Sequence, residues 1–207
     1  MAVGGEGLWE VPEEWAAPFD RACERLVEAI IGRESSAARA LLPPIAATLG
    51  LRHIACEQFD ARNGELVERA SLTTWPEAWR VRTAGRRHAD IDPVVMVGTY
   101  ARHPFDWRSF RVLSADVASF LDDAAGHGVG LNGLTVPLRG GPTALALVSF
   151  TSDMAPDDWD AYKRRHLPNL KTLACLVCVL ADLSARQAAR SAPGASRVLS
   201  MLQARLS

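Results

Sequence analysis

The sequence lacks an excess of charge of either sign. Its 23 Lys and Arg stand against 24 Asp and Glu, a formal net charge of −1, and its isoelectric point is near 6.5. Domains that grip nucleic acid through their own surface show a pI above about 9 with clustered Lys and Arg, so that mode is disfavoured, a local basic patch aside. No apolar run approaches the ~20 residues of a membrane-crossing helix; the longest, Leu173 to Ala181, has the length of a buried helix segment. Residues 1–10 hold Gly and Glu but no basic stretch followed by an apolar one, so no signal peptide is visible. Cysteine is scarce, and the spacing of Cys23, Cys56, Cys175 and Cys178 is irregular, which suggests reduced thiols in a cytoplasmic protein. The histidines His53, His88, His103, His127 and His166 show no metal-ligand spacing, and Cys175-x-x-Cys178 has no second pair with which to hold zinc. The two thiols read as apolar core on a helix face. With no catalytic constellation present, the reading is not an enzyme, with no metal and no cofactor.

What is present is ample apolar material. A chain of 207 residues that is 48% hydrophobic can bury a core, and its length favours one domain with or without an appendage. Trp15, Phe19, Cys23, Leu26, Val27, Ile30 and Ile31 recur at helical spacing over residues 13–33. Ser36 to Leu49 continues as a second helix ended by Gly50. Leu51 to Phe59 and Leu66 to Leu72 then alternate about the turn signal Asn63-Gly64. Trp75 to Arg87 reads as a helix opened by Pro76, Asp92-Pro93 opens an apolar run to Tyr100, and Ser114 caps a helix over Asp116 to Ala125. Leu131 to Leu138 and Thr143 to Phe150 form a second strand pair around Arg139-Gly-Gly-Pro142. Residues 157–187 make the longest helical pattern, interrupted at Pro168. No internal repeat or low-complexity tract occurs. This order predicts an α+β fold, an antiparallel sheet covered by helices.

Three of the six tryptophans, Trp75, Trp79 and Trp107, fall in the middle of the chain. Trp75 and Trp79 are four apart and would share a helix face. A buried indole N–H wants an acceptor, and core packing is the alternative role for both rings. Asp92 lies in an apolar setting, where an unpaired carboxylate costs several kcal/mol. It either caps the following helix, with Pro93 at the first helical position, or faces a small molecule that carries an N–H.

The strings Trp75-Pro-Glu-Ala-Trp79, Asp92-Pro-Val-Val95, Pro104-Phe-Asp-Trp107 and Gly128-Val-Gly-Leu-Asn-Gly133-Leu-Thr-Val-Pro137 resemble the autoinducer-binding domain of LuxR-type quorum-sensing regulators, in order and in spacing. The resemblance covers roughly residues 15–185. It implies an α-β-α sandwich, PAS/GAF-like, with a central antiparallel sheet and helices on both faces, binding an N-acyl-homoserine lactone between sheet and helices. On this resemblance Trp79 would donate its indole N–H to the lactone carbonyl and Asp92 would accept from the ligand amide. Trp107 would pack over the lactone, and Ser149 would lie near the acyl amide. Val95, Phe120, Ala124 and Val129 would line the pocket, though ordinary core packing explains them equally well. Gly133 and Pro93 would be structural.

The chain departs from the family where a tyrosine is usual: Trp75 and Thr83 stand at those two positions, which opens the question of ligand identity. Gly128-x-Gly130-x-x-Gly133 has the letters of a dinucleotide fingerprint but leads into a strand, not a helix, and is rejected. Arg86-Arg87-His88 and Lys163-Arg164-Arg165-His166 read as solvated basic faces. The resemblance implies a homodimer with helix 157–187 contributing, a binding domain over residues 1–187, and a linker or tail over 188–207, in which a helix-turn-helix DNA-binding domain does not fit. DNA would then be reached only through such a further domain. Three alternatives stay open: a headless family member that sequesters signal or pairs with a full-length regulator, a GAF- or PAS-like sensor of another small molecule, and an interaction module without a ligand.

Overall fold

A computed structural model describes residues 13–32, 38–63, 65–84, 92–141 and 143–191. Gly64, Arg86-Arg87-His88, Pro142 and the segment 192–207 lie outside the described residues, as does the side chain of Trp15. The chain opens with helices α1 (Glu13–Ile31) and α2 (Ala38–Thr48) and the hairpin β1 (His53–Arg62) and β2 (Glu65–Thr73). Then come α3 (Glu77–Thr83), α4 (Pro93–Tyr100), the short β3 (Phe105–Asp106), α5 (Arg108–Arg111) and α6 (Ala115–Gly126). A second hairpin, β4 (Asn132–Arg139) and β5 (Ala144–Ser152), leads into the long α7 (Pro156–Ser191). The five strands form one antiparallel sheet in the order β2-β1-β5-β4-β3.

Side chains alternate across a sheet, and here the two faces bury different things. Ile54, Cys56, Val148, Phe150, Leu134 and Val136 point to one face and pack with α1, α2 and α7 in the main core. On that face Gln58 ties β1 to the long helix, its Nε2 donating to the Cys178 carbonyl at 2.8 Å and its Oε1 accepting from Arg69 at 2.6 Å. The other face carries Ala55, Glu57, Leu147, Ser149 and Thr135 and is covered by α3, α4, α5 and α6. The fold is thus the expected α+β sandwich.

Several local expectations change. Pro168 does not interrupt α7, which runs on for 36 residues. An 18-residue window of α7 reaches a mean hydropathy of 1.4, long and apolar enough to cross a membrane by composition, but Leu170, Leu173, Ala174, Val177 and Leu180 pack in the main core. Cys175 is exposed and Cys178 only partly buried, so Cys175 does not serve as core. Lys163 is not on a solvated face either. It pairs with Asp106 and, at 2.8 Å, with Asp160, while His166 stacks on Phe19.

Candidate ligand site

Three rungs of the sheet make the floor of the site. His53, Thr151 and Gly133 form the first, Ala55, Ser149 and Thr135 the second, and Glu57, Leu147 and Pro137 the third. Trp107 follows β3, its backbone N–H donating to the Gly133 carbonyl at 2.9 Å. Its ring lies flat on Gly133, where an added Cβ would stand 2.1 Å from ring carbon Cδ2. Glycine is required there for space; the backbone is ordinary. The indole N–H of Trp107 donates to Thr135 Oγ1 at 2.8 Å, and that hydroxyl is hydrogen-bonded to Ser149 Oγ at 2.8 Å. All three groups are buried.

The walls come from the helices. Trp79 sits on α3 and meets Phe120 of α6 edge-on at 5.4 Å between centroids. Thr83, one turn on, donates its hydroxyl to the Trp79 carbonyl at 3.0 Å. Trp75 does not share that helix. A residue before proline is disfavoured in the α region, so α3 starts after Pro76, and Trp75 lies in the extended approach with its N–H on Thr73 Oγ1 at 2.7 Å. Its ring still reaches Trp107, 6.4 Å away between centroids. Among the described residues neither the Trp75 nor the Trp79 indole N–H has a protein acceptor.

Asp92 is the helix cap that the sequence offered as one reading, and it also lines the cavity. It caps α4, accepting from the Val94 N–H at 2.8 Å with Pro93 at the first position, and its side chain also faces the cavity. The two are compatible because a carboxylate offers about four lone-pair sites. Val95 was expected in the pocket and is not there: it packs with Phe59, Leu145 and Leu147 beyond the third rung. Its neighbour Val94 lines the cavity instead, since successive helical residues point about 100° apart. The loop before β4 brings in Val129. Its glycines take positive φ, +83° at Gly128 and +124° at Gly130, and the carbonyls of Gly128 and Val129 accept from Arg52 and Thr151.

The enclosed space is small, about 30 Å³, bounded by Trp75, Trp79, Asp92, Trp107, Phe120 and Ser149 among others. That is room for one or two waters, so a larger occupant must displace side chains, and the partly exposed Trp75 and Phe120 are the least constrained. Two larger depressions, of about 440 and 350 Å³, are open surface grooves around α2 and bring together fewer of these groups.

Sequence reasoning missed Thr135 and Glu57. Thr135 shares a strand face with Gly133, which was the available signal. Glu57 sits in the strand pattern where a charged residue ordinarily marks a solvated face. It lines the cavity instead, and burial, with the negative charges of Asp92 and Glu68 adding, pushes its carboxyl up to about 8. Among the described residues no cluster of three or more His, Cys, Asp or Glu could hold a metal ion.

Comparison with known proteins identifies the family and the fold. The profile of the family described as autoinducer binding domain matches residues 35–178. The transcriptional activator protein RaiR of Rhizobium etli is 29% identical over 103 residues, covering 50% of this chain and 43% of the relative; the chain thus spans less than half of that relative's length. Among solved structures, the LuxR family transcription factor CepR2 of Burkholderia cenocepacia superposes with a TM-score of 0.61 at 20% identity, covering 77% of this chain and 93% of that one. Residues 1–171 of Escherichia coli SdiA give 0.56 at 16% identity, covering 84% and 99%. Both structural likenesses concern the fold.

Proposed function

Because the chain belongs to the autoinducer-binding domain family of LuxR-type regulators, a family of ligand receptors and not of enzymes, we propose that the cavity beside Trp107 receives an N-acyl-homoserine lactone. The observation that carries this reading is the convergence of Trp79, Asp92, Trp107 and Ser149, from four separate elements, on one cavity. Trp79 supplies an N–H with no protein acceptor among the described residues, suited to the lactone carbonyl. Asp92 supplies an acceptor suited to the ligand amide, and Ser149 a hydroxyl beside it. Trp107, packed on Gly133 and bonded to Thr135, presents a flat apolar surface to the lactone ring. Phe120, Ala124 and Val129 close the cavity. CepR2 is described as N-acylhomoserine-lactone-dependent and RaiR as a transcriptional activator, which supports carrying both properties here as a proposal.

In this mechanism the ligand completes hydrogen bonds at Trp79 and Asp92 and wedges the helical layer from the sheet, so binding and core packing are one event. The receptor is a cytoplasmic homodimer in which α7 contributes the interface, its outward Cys175 and Val179 being exposed. DNA is reached through a further domain. A thermal-melt series with homoserine lactones of increasing chain length tests the reading, together with mass spectrometry of small molecules released on denaturation. A ligand at a hundredfold excess over its Kd adds about 2.7 kcal/mol of stability. No shift with any lactone, and none released, overturns it.

A further inference from the structure

Glu57 is a carboxyl in the cavity lining that the lactone reading leaves without a task, and its position gives it one. Along the sheet the rungs are ordered. Trp107 roofs Gly133 in the first, Ser149 and Thr135 share the second, and Glu57 and Leu147 share the third. A ligand with its lactone against Trp107 and its amide at Asp92 and Ser149 therefore runs its chain toward Glu57. Alternate residues on one strand are about 6–7 Å apart, so Glu57 lies opposite the first carbons beyond the amide. Past it the way is filled by Phe59, Val95, Leu145 and Leu147. At Gly98 an added Cβ would meet Leu147 Cδ2 at 2.6 Å, so α4 lies tight on the sheet there.

We propose that Glu57 is the specificity-determining residue for a hydrogen-bonding substituent, an oxo or hydroxyl group, on the ligand chain next to its amide. The inference rests on the lactone reading above. A plain alkyl chain would bury the Glu57 carboxyl with no partner, and an unsatisfied polar group costs free energy that a matched one recovers. Among the described residues the charged groups that act on Glu57 are Asp92, the N-cap of α4, and Glu68 from β2. Among the described residues the cavity lining holds no lysine, arginine or histidine. In that setting the carboxyl is neutral below about pH 8 and donates its O–H, which an oxo or hydroxyl oxygen accepts. Asp92 keeps the complementary role of acceptor. Trp75 and Thr83, where tyrosines are usual in the family, also line the cavity, Trp75 at the first rung beside His53 and Trp107.

The test uses octanoyl-, β-oxo-octanoyl- and β-hydroxyoctanoyl-homoserine lactone with the purified chain and its Glu57→Gln and Glu57→Leu variants, each checked for a cooperative melt. The wild type is expected to bind the substituted ligands about three- to tenfold more tightly than the plain one, the span of one net hydrogen bond. Glu57→Gln, whose amide also donates, keeps that preference, and Glu57→Leu loses or reverses it. Tryptophan quenching read within minutes of mixing, before the lactone opens, at about pH 6.5 and about pH 8.5 should show the preference shrinking as Glu57 ionises in the wild type and not in Glu57→Gln. Equal binding of all three ligands by the wild type, or a preference that survives in Glu57→Leu, overturns this inference and leaves the lactone reading standing. Binding of none of the three by any form overturns both.

Discussion

The ring of Trp107 occupies the space that a side chain on residue 133 would need, with 2.1 Å between the ring and the position of an added Cβ on Gly133. The ring cannot swing clear without giving up its bond to Thr135, and the backbone bond to the Gly133 carbonyl keeps its stem at the sheet. Gly133→Ala should therefore cost about 1–3 kcal/mol, the range for overpacking a closed site, and shift the tryptophan emission. Urea denaturation of the variant with fluorescence detection checks both. A variant as stable as the parent, with unchanged emission, would show that the ring is free to move.

Thr135 is a core hydroxyl whose loss should matter more than its size. Thr135→Val keeps the shape but strands the Trp107 N–H and removes a partner from Ser149. Leaving a buried donor unsatisfied costs about 1–3 kcal/mol. Ser149→Ala removes only the far end of the chain of bonds and should cost less. Thermal melts of the two variants check the order, and the reverse order would place the weight of the network on Ser149.

The two functions of Asp92 can be separated. Asn is as good an N-cap as Asp, so Asp92→Asn should hold α4 in place and keep most of the stability. It also places an amide where a carboxylate accepted, and so should blunt the thermal shift produced by a lactone. Asp92→Ala should lose the cap as well, roughly 0.5–2 kcal/mol. Melts of both variants with and without ligand distinguish the cases. An undiminished ligand shift in both would leave Asp92 as a helix cap alone.

Much of the site was legible because it depends on local rules. Asp92-Pro93 announces a capped helix, and Ser114 the start of α6, where its side chain accepts from Val117 at 3.2 Å. What was not legible depends on tertiary placement. Val94 and Val95 are indistinguishable by composition, and only the rotation of α4 against the sheet sends one to the cavity and the other to Leu147. Glu57 lies in a strand covered by helices on both sides over most of its length, so its alternation marks no solvated face there. Lys163 read as part of a basic surface run, yet the fold brings Asp106 to it from 57 residues away.

That last contact carries a pH prediction. Lys163 and Arg108 surround Asp106, the residue just before Trp107, and both also reach Asp160. Burial pushes the Asp106 carboxyl up, but the bonds from Arg108 and Lys163 outweigh it and hold it below the ordinary 3.8. A carboxylate with a lowered folded-state pKa stabilises the fold above its unfolded pKa, and that contribution fades as pH falls through the folded value. The parent should therefore lose stability below about pH 4 with a slope that Asp106→Asn reduces. Lys163→Met should cost roughly 1.5–3 kcal/mol at neutral pH, the range for hydrogen bonds to charged groups, and should flatten the same acid limb. Because Asp106 positions the strand that delivers Trp107, the lactone-induced shift should weaken along with it. Denaturation of the three proteins across the acid range decides the matter: parallel pH profiles would mean that the network holds no part of the roof in place.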